Sequence, residues 1–280
     1  MTVSSRPSSW DASTSRAAVE LLRRPRYEVL ALPGIAADVV GHLPRHSTVT
    51  VTVSARRGLE PTIALSEALA REGYRAVPHL AARMVRDRPQ LAELVARLDE
   101  AGIEEVFVVG GDADPPIGEF TEAVQVLADV GAGRSVGVAA YPEGHPKIDE
   151  HELDRALLAK RDACSYAVTQ MCFDAPAVGR WVRRVRGLGF DRPVHVGVPG
   201  VVDTLRLARI ATRIGVGPSL RFALRQRGSG RLLRPGGYRP ERLVLEMARE
   251  GATGLHIYTL GDVADTERWR RETMERLADA

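Results

Sequence analysis

Two stretches carry side chains suited to moving protons. Tyr141 to His145, YPEGH, places a phenol, a carboxylate and an imidazole within five residues. It directly follows Ser135–Ala140, a small, β-branched, apolar run whose composition predicts a buried strand. Parallel α/β proteins keep their chemistry at the C-terminal ends of strands, which makes this string, with Tyr141, Glu143 and His145, a candidate site; the other reading is a polar surface turn. Glu28 lies inside a second strand-like run, Tyr27–Leu32. A buried, unpaired carboxylate is costly unless it is protonated or hydrogen-bonded. Burial also raises its pKa, which suits a general acid near neutral pH. Alternatively, Tyr27, Val29 and Ala31 face inward and Glu28 points out to an Arg.

Further polar residues interrupt apolar strands near their ends. His79 lies near the end of the third run, and Asp112 follows Gly110 and Gly111 after the fourth. Thr169 and Gln170 interrupt the sixth, His195 lies in the seventh, and His256 and Tyr258 share one face of the eighth by the two-residue period. A single strand histidine is commonly a satisfied core residue. Gathered at one end of a sheet, however, these groups describe a pocket for a flat, hydrogen-bonding ligand, with the Gln170 amide able to read donor and acceptor edges.

The elements that must position them alternate regularly. Strand-like runs are Tyr27–Leu32, Thr48–Val53, Arg75–Leu80, Glu105–Val109, Ser135–Ala140, Tyr166–Cys172, Pro193–Val198 and Gly254–Leu260. Helix-like runs lie between them, including Ile117–Val130 and Glu152–Asp162, with Ser15–Arg24 ahead and Thr266–Ala278 at the end. The alternation predicts one α/β domain over residues 15–280, a single (β/α)8 TIM barrel behind a flexible lead-in over 1–14. A doubly wound sheet is the second architecture. Ile35–His46 is weakly patterned where the first barrel helix belongs, and Gly215–Arg239 is a long Arg-rich insertion.

Composition narrows the function classes. The net charge is +3, and 39 Lys and Arg, of which only Lys147 and Lys160 are Lys, are interleaved with 36 Asp and Glu. This is an Arg-rich composition rather than a nucleic-acid patch. Cys164 and Cys172 sit in apolar runs without metal-ligand spacing, so neither a disulfide framework nor a metal is expected. No run approaches the roughly 20 apolar residues needed to cross a bilayer, and the N-terminus lacks an apolar signal core, which makes the cytoplasm the expected compartment. Trp181 and Trp269, beside Arg residues, are candidates for an interface in a homo-oligomer.

Taken together, YPEGHP, the Lys160–Asp162 segment followed by AVTQMCFD, and GLHIYTL resemble the methylenetetrahydrofolate reductase family. The resemblance covers about Tyr27 to Leu260 and implies a (β/α)8 barrel. It implies reduction of the methylene bridge of 5,10-methylenetetrahydrofolate to a methyl group: protonation opens the bridge to an iminium cation, and a hydride adds to its carbon. Glu28 occupies the position of the family's acid. Asp112 and Gln170 would hold the pterin, with His79 and Tyr258 beside it, and Asp112 would also stabilise the cation. Tyr141, Glu143, His145, Lys160, Gly110 and Gly111 would line the cofactor.

The sequence departs from the family where flavin is held. Ser54–Glu60, SARRGLE, replaces a Gly-rich loop, Gly110 replaces an Arg, Ala81 replaces a Thr, and Asp154 is out of register with Lys160. The pattern therefore resembles the flavin-independent branch, in which NADH or NADPH passes its hydride directly and FAD is disfavoured. The alternatives are an FAD-dependent reductase and a folate-binding protein without catalysis.

Overall fold

Eight short runs of β-branched residues each pair with the next, and the last pairs with the first. In the computed structural model, which describes residues 10–131, 133–213 and 238–279, they form a closed parallel barrel. The strands are β1 (Arg26–Leu30), β2 (Thr48–Thr52), β3 (Arg75–Ala81), β4 (Glu105–Val109), β5 (Ser135–Ala140), β6 (Tyr166–Thr169), β7 (Val194–Pro199) and β8 (Leu255–Tyr258). The described helices are α1 (Ala12–Arg23), α2 (Ile35–His42), α3 (Glu60–Arg71), α4 (Arg88–Glu100), α5 (Val124–Gly131), α6 (Glu150–Leu158), α7 (Ala175–Gly187), α8 (Thr204–Arg213), α9 (Glu241–Arg249) and α10 (Val263–Ala278). The expected TIM-barrel class is the observed one. Among the described residues no helix is long and apolar enough to cross a membrane.

Alternation along the strands separates two kinds of interior. Residues such as Val49, Val51, Val106, Val108, Val196 and Val198 are buried in the larger clusters that join the strands to the surrounding helices. The opposite faces of β3, β4 and β6 supply Val77, Phe107, Tyr166 and Val168, a separate cluster inside the barrel. This is the two-residue period of a strand buried on both sides.

Several expectations are corrected. The weakly patterned stretch after β1 contains α2, which buries Ile35 and Val39 one turn apart; packing of an apolar stripe outweighs a Gly and two Val in the helix. The helix expected from Ile117 begins instead at Val124. Ile117 N donates to Arg83 O at 2.9 Å, and a Cβ on Gly118 would lie 1.9 Å from Arg86 O, so this segment is stitched to the β3–α4 connection. The first helix starts at Ala12, where the Asp11 side chain accepts from Thr14 N. Trp181 and Trp269 are buried within this chain rather than displayed for a partner. Both cysteines are buried free thiols. Most of the Arg-rich insertion, 214–237, lies outside the described residues, as do 1–9 of the lead-in.

Candidate active site

β1 turns Glu28 into the barrel. Tyr27 takes the outward side, where its hydroxyl donates to Glu267 Oε2 at 2.5 Å. Glu28 Oε2 lies 3.0 Å from His256 Nε2 on β8 and 3.6 Å from His79 Nε2 on β3. The outward-facing alternative for Glu28 is thereby excluded. Burial pushes the Glu28 carboxyl up to about 7, against a smaller downward pull from His79. Burial pushes His256 down to about 3 and His79 to about 4, with Arg26 opposing protonation of both. At neutral pH the carboxyl therefore has two uncharged imidazoles as neighbours and is poised to hold or release one proton.

The ends of β6 and β8 meet beside this group. Tyr258 Oη donates to Thr169 O at 2.9 Å, and Gln170 N donates to Ala140 O at 2.8 Å. The Gln170 Oε1 atom accepts from Met171 N at 2.9 Å, which leaves its amide N–H groups to donate elsewhere. Burial drives the Tyr258 phenol well above its ordinary pKa, and the charges of Glu28, Cys172 and Tyr141 act in the same direction. Tyr258 thus keeps its proton as a donor.

Asp112, Tyr141 and His145 share the rim over β4 and β5. The Tyr141 and His145 rings meet edge to face at 5.2 Å. Burial raises the Tyr141 pKa and Asp112 adds to it; burial lowers that of His145 while Asp112 opposes the change. Asp112 is exposed and follows Gly111, whose φ of +92° and whose approach to Ala81, 2.8 Å from where a Cβ would stand, both require glycine.

Glu143, expected with this group, is engaged elsewhere. Glu143 Oε1 accepts from Phe173 N at 2.6 Å and Asp174 N at 2.8 Å, tying the β5–α6 loop to the start of α7. Lys160 follows α6 in the turn that leads to β6. Its pKa is lowered by burial, with Cys164 and Glu122 pulling the other way.

Thr50 and Arg83 were not singled out by sequence. Thr50 is paired in register with Glu28, and its Oγ1 is buried without a hydrogen-bond partner among the described residues. The alternation of Thr48, Thr50 and Thr52 with Val was the available signal. Arg83 donates from its backbone N to Gly110 O at 2.9 Å and from Nε to Ala113 O at 2.7 Å, fixing the Asp112 loop from the neighbouring connection. A cavity adjoins the mouth over β1 and β2, lined by Leu30, Leu32, Thr52, Ser54, Arg57 and Thr62 among others.

The family model for methylenetetrahydrofolate reductase matches residues 36–268. The chain belongs to this family. A 5,10-methylenetetrahydrofolate reductase from Pectobacterium carotovorum is 32% identical over 152 residues, 52% of this chain and 50% of that protein. One from Salmonella typhimurium is 28% identical over 200 residues, 68% of this chain and 67% of that protein. The chain thus spans about half the length of the first relative and two thirds of the second. Among solved structures, an uncharacterized Clostridium thermocellum protein described as binding two copies of 5-methyl-5,6,7,8-tetrahydrofolic acid superposes with a TM-score of 0.59 at 11% identity, covering 92% of this chain and 98% of that one. At that identity it speaks for the barrel alone.

Within the methylenetetrahydrofolate reductase family, the departures noted by sequence fall in definite places. Ser54 and Gly58 close a tight turn by an antiparallel bridge, and Arg57 NH1 donates to Ala31 O at 2.9 Å. Asp154 pairs with Arg184 of α7 at 2.6 Å.

Proposed function

We propose that this member of the family reduces 5,10-methylenetetrahydrofolate to 5-methyltetrahydrofolate with a hydride taken directly from NADH or NADPH. The observation that carries the reading is the Glu28 carboxyl inside the barrel mouth, held at about 7 by burial and placed 3.0 Å from His256. A carboxyl protonated near neutrality can deliver its proton to a bridge nitrogen and open the ring. Gln170 and the orphaned Thr50 hydroxyl offer donors around it, the Tyr258 oxygen, whose proton is held by Thr169 O, offers an acceptor, and the Asp112 carboxylate favours the cation formed. The reduced nicotinamide is the co-substrate and supplies two electrons and one hydrogen as hydride. Tyr141, His145 and the open backbone at Gly110 are the groups proposed to receive it, with apolar Leu30 and Leu32 at the adjoining cavity.

A flavin dinucleotide fits the described residues poorly. The family's charged contact before Gly-Asp is Gly110, Arg57 is spent on Ala31 O, Asp154 on Arg184 and Glu143 on two backbone N–H groups. Each missing charged hydrogen bond is worth roughly 1.5–3 kcal/mol. The test is anaerobic. Purified protein without flavin absorbance should oxidise NADH or NADPH when methylenetetrahydrofolate is added. Activity that appears only with added FAD overturns the direct route, and folate binding without turnover overturns the enzyme.

A further inference from the structure

Below Glu28 the barrel interior carries ionisable groups where such barrels ordinarily carry branched aliphatics. Arg26, one inward step nearer the N-terminal end of β1, donates from NH2 to Glu105 Oε1 on β4 at 2.5 Å and to Tyr166 Oη on β6 at 2.8 Å. His256 is in register with Arg26, while Glu28 is in register with Tyr258 one step above. His195 on β7 lies a step lower still. Its ring fills the space beside Gly254, where a Cβ would stand 2.2 Å from Nδ1, and it meets Tyr166 edge-on at 5.3 Å. His195, His256 and Glu28 therefore rise in sequence through the barrel. His195 is half-buried and the Glu105 side chain is 19% exposed, so the lower end meets solvent, whereas His256 is 1% exposed.

Arg26 Nε, His256 Nδ1 and the Thr50 hydroxyl are buried without hydrogen-bond partners among the described residues. Orphaned atoms of this kind are costly unless water satisfies them, and a polar interior is where buried water is held. The reduction consumes one proton per turnover. Hydride goes to the methylene carbon, the Glu28 proton goes to nitrogen, and the carboxylate is left beneath its ligands.

We propose that Glu28 is reprotonated from the N-terminal face of the barrel, through His256, with His195 at the entrance to the column. His256 Nε2–H passes its proton to Glu28 Oε2 across the 3.0 Å contact, and Nδ1 takes one from water on the His195 side. A return of the imidazole to its Nε2–H form completes the cycle, with one proton drawn from solvent for each one given to product. Arg26, His79, Tyr258 and His195 surround His256 together with Glu28. Arg26 opposes protonation of both relay imidazoles, which pass a proton without storing one.

The inference rests on the reductase reading, and its test separates the two. His195→Phe and His195→Gln alter the entrance without touching Glu28. Enzyme pre-equilibrated below the Glu28 pKa with methylenetetrahydrofolate is mixed with NADH in stopped flow. The first turnover should match the unaltered protein, since Glu28 starts protonated, while later turnovers slow by about tenfold or more and recover with added imidazole. Equal loss in first and later turnovers, or no loss in either, overturns the route. A second readout needs no turnover: the infrared carboxyl band absent from Glu28→Gln, followed after a pH jump in protein saturated with 5-methyltetrahydrofolate. Its protonation should slow in both His195 variants, and unchanged rates overturn the route. Failure of the unaltered protein to oxidise NADH or NADPH removes the reductase reading, and the infrared rates then judge the column by themselves.

Discussion

Glu28 Oε2 and His256 Nε2 are 3.0 Å apart, yet between about pH 3 and about pH 7 neither group carries charge. An acid and a base in contact would exchange a proton in water. Inside the barrel, burial disfavours both ions, and the proton stays on the carboxyl.

Glu28→Gln keeps the shape of the side chain and removes its proton. Turnover should fall by about 10²–10⁴-fold while methylenetetrahydrofolate still binds, as read by steady-state kinetics and calorimetry. In the unaltered protein the acid form is required, so kcat/KM should decline as pH rises through about 7. That limb should vanish from the residual activity of Glu28→Gln. Its persistence would assign the titration to another group.

Stability should also report these groups. His79 and His256, depressed from 6.5, bind fewer protons folded than unfolded, so their contribution is lost as pH falls below 6.5 towards about 4. Glu28, raised from 4.5 to about 7, works in the opposite direction across much of that range. His195, likewise depressed to about 3, adds to them, so three imidazoles outweigh the carboxyl by two protons, or about 2.7 kcal/mol per pH unit. Urea midpoints should therefore drop between about pH 6.5 and about pH 5, and more steeply in Glu28→Gln, which lacks the opposing group. An unchanged slope in that variant would mean that Glu28 is not protonated in the folded protein.

A second buried network anchors β1 from outside. Glu267 accepts from Tyr27 and pairs with Arg270 at 2.7 Å, and Arg270 NH1 donates to Leu22 O at 2.8 Å. Glu267→Ala leaves the buried guanidinium without its carboxylate and should cost about 3–5 kcal/mol in urea unfolding. Tyr27→Phe removes one hydrogen bond and should cost about 1 kcal/mol.

Gly111→Ala tests the Asp112 loop. A side chain at φ +92° is strained and its Cβ would press on Ala81 at 2.8 Å, so the loop should move at a cost of about 1–3 kcal/mol. The KM for methylenetetrahydrofolate should rise, and urea unfolding should be weakened by no more than that cost. A KM equal to that of the unaltered protein would count against a role for Asp112 in folate binding.

Much of the barrel was legible because its signals are local. Glu105–Val109 and Ser135–Ala140 match their predicted limits, and Arg75 and Thr48 open their strands as expected. The sixth run ended early, at Thr169 rather than Cys172, because Cys172 N turns to Gly197 O of β7. No local pattern could announce that partner. In the site, Glu28, His79, Gln170 and Tyr258 stood out as polar residues in apolar strands. That Glu143 would accept from Phe173 N and Asp174 N was not legible, because those partners come from the next strand-helix unit.

Composition and the two-residue period were enough for eight parallel strands, their covering helices and a carboxylate within the first strand, since each depends on neighbours along the chain. Which wall Glu28 faces, that two neutral histidines 228 and 51 positions away meet it, and that Arg26 lies beneath them depended on closure of the barrel. Closure brings β8 against β1 and sets the register of Arg26 with His256. The low-dielectric interior it creates converts an ordinary carboxylate into an acid that holds its proton near neutrality.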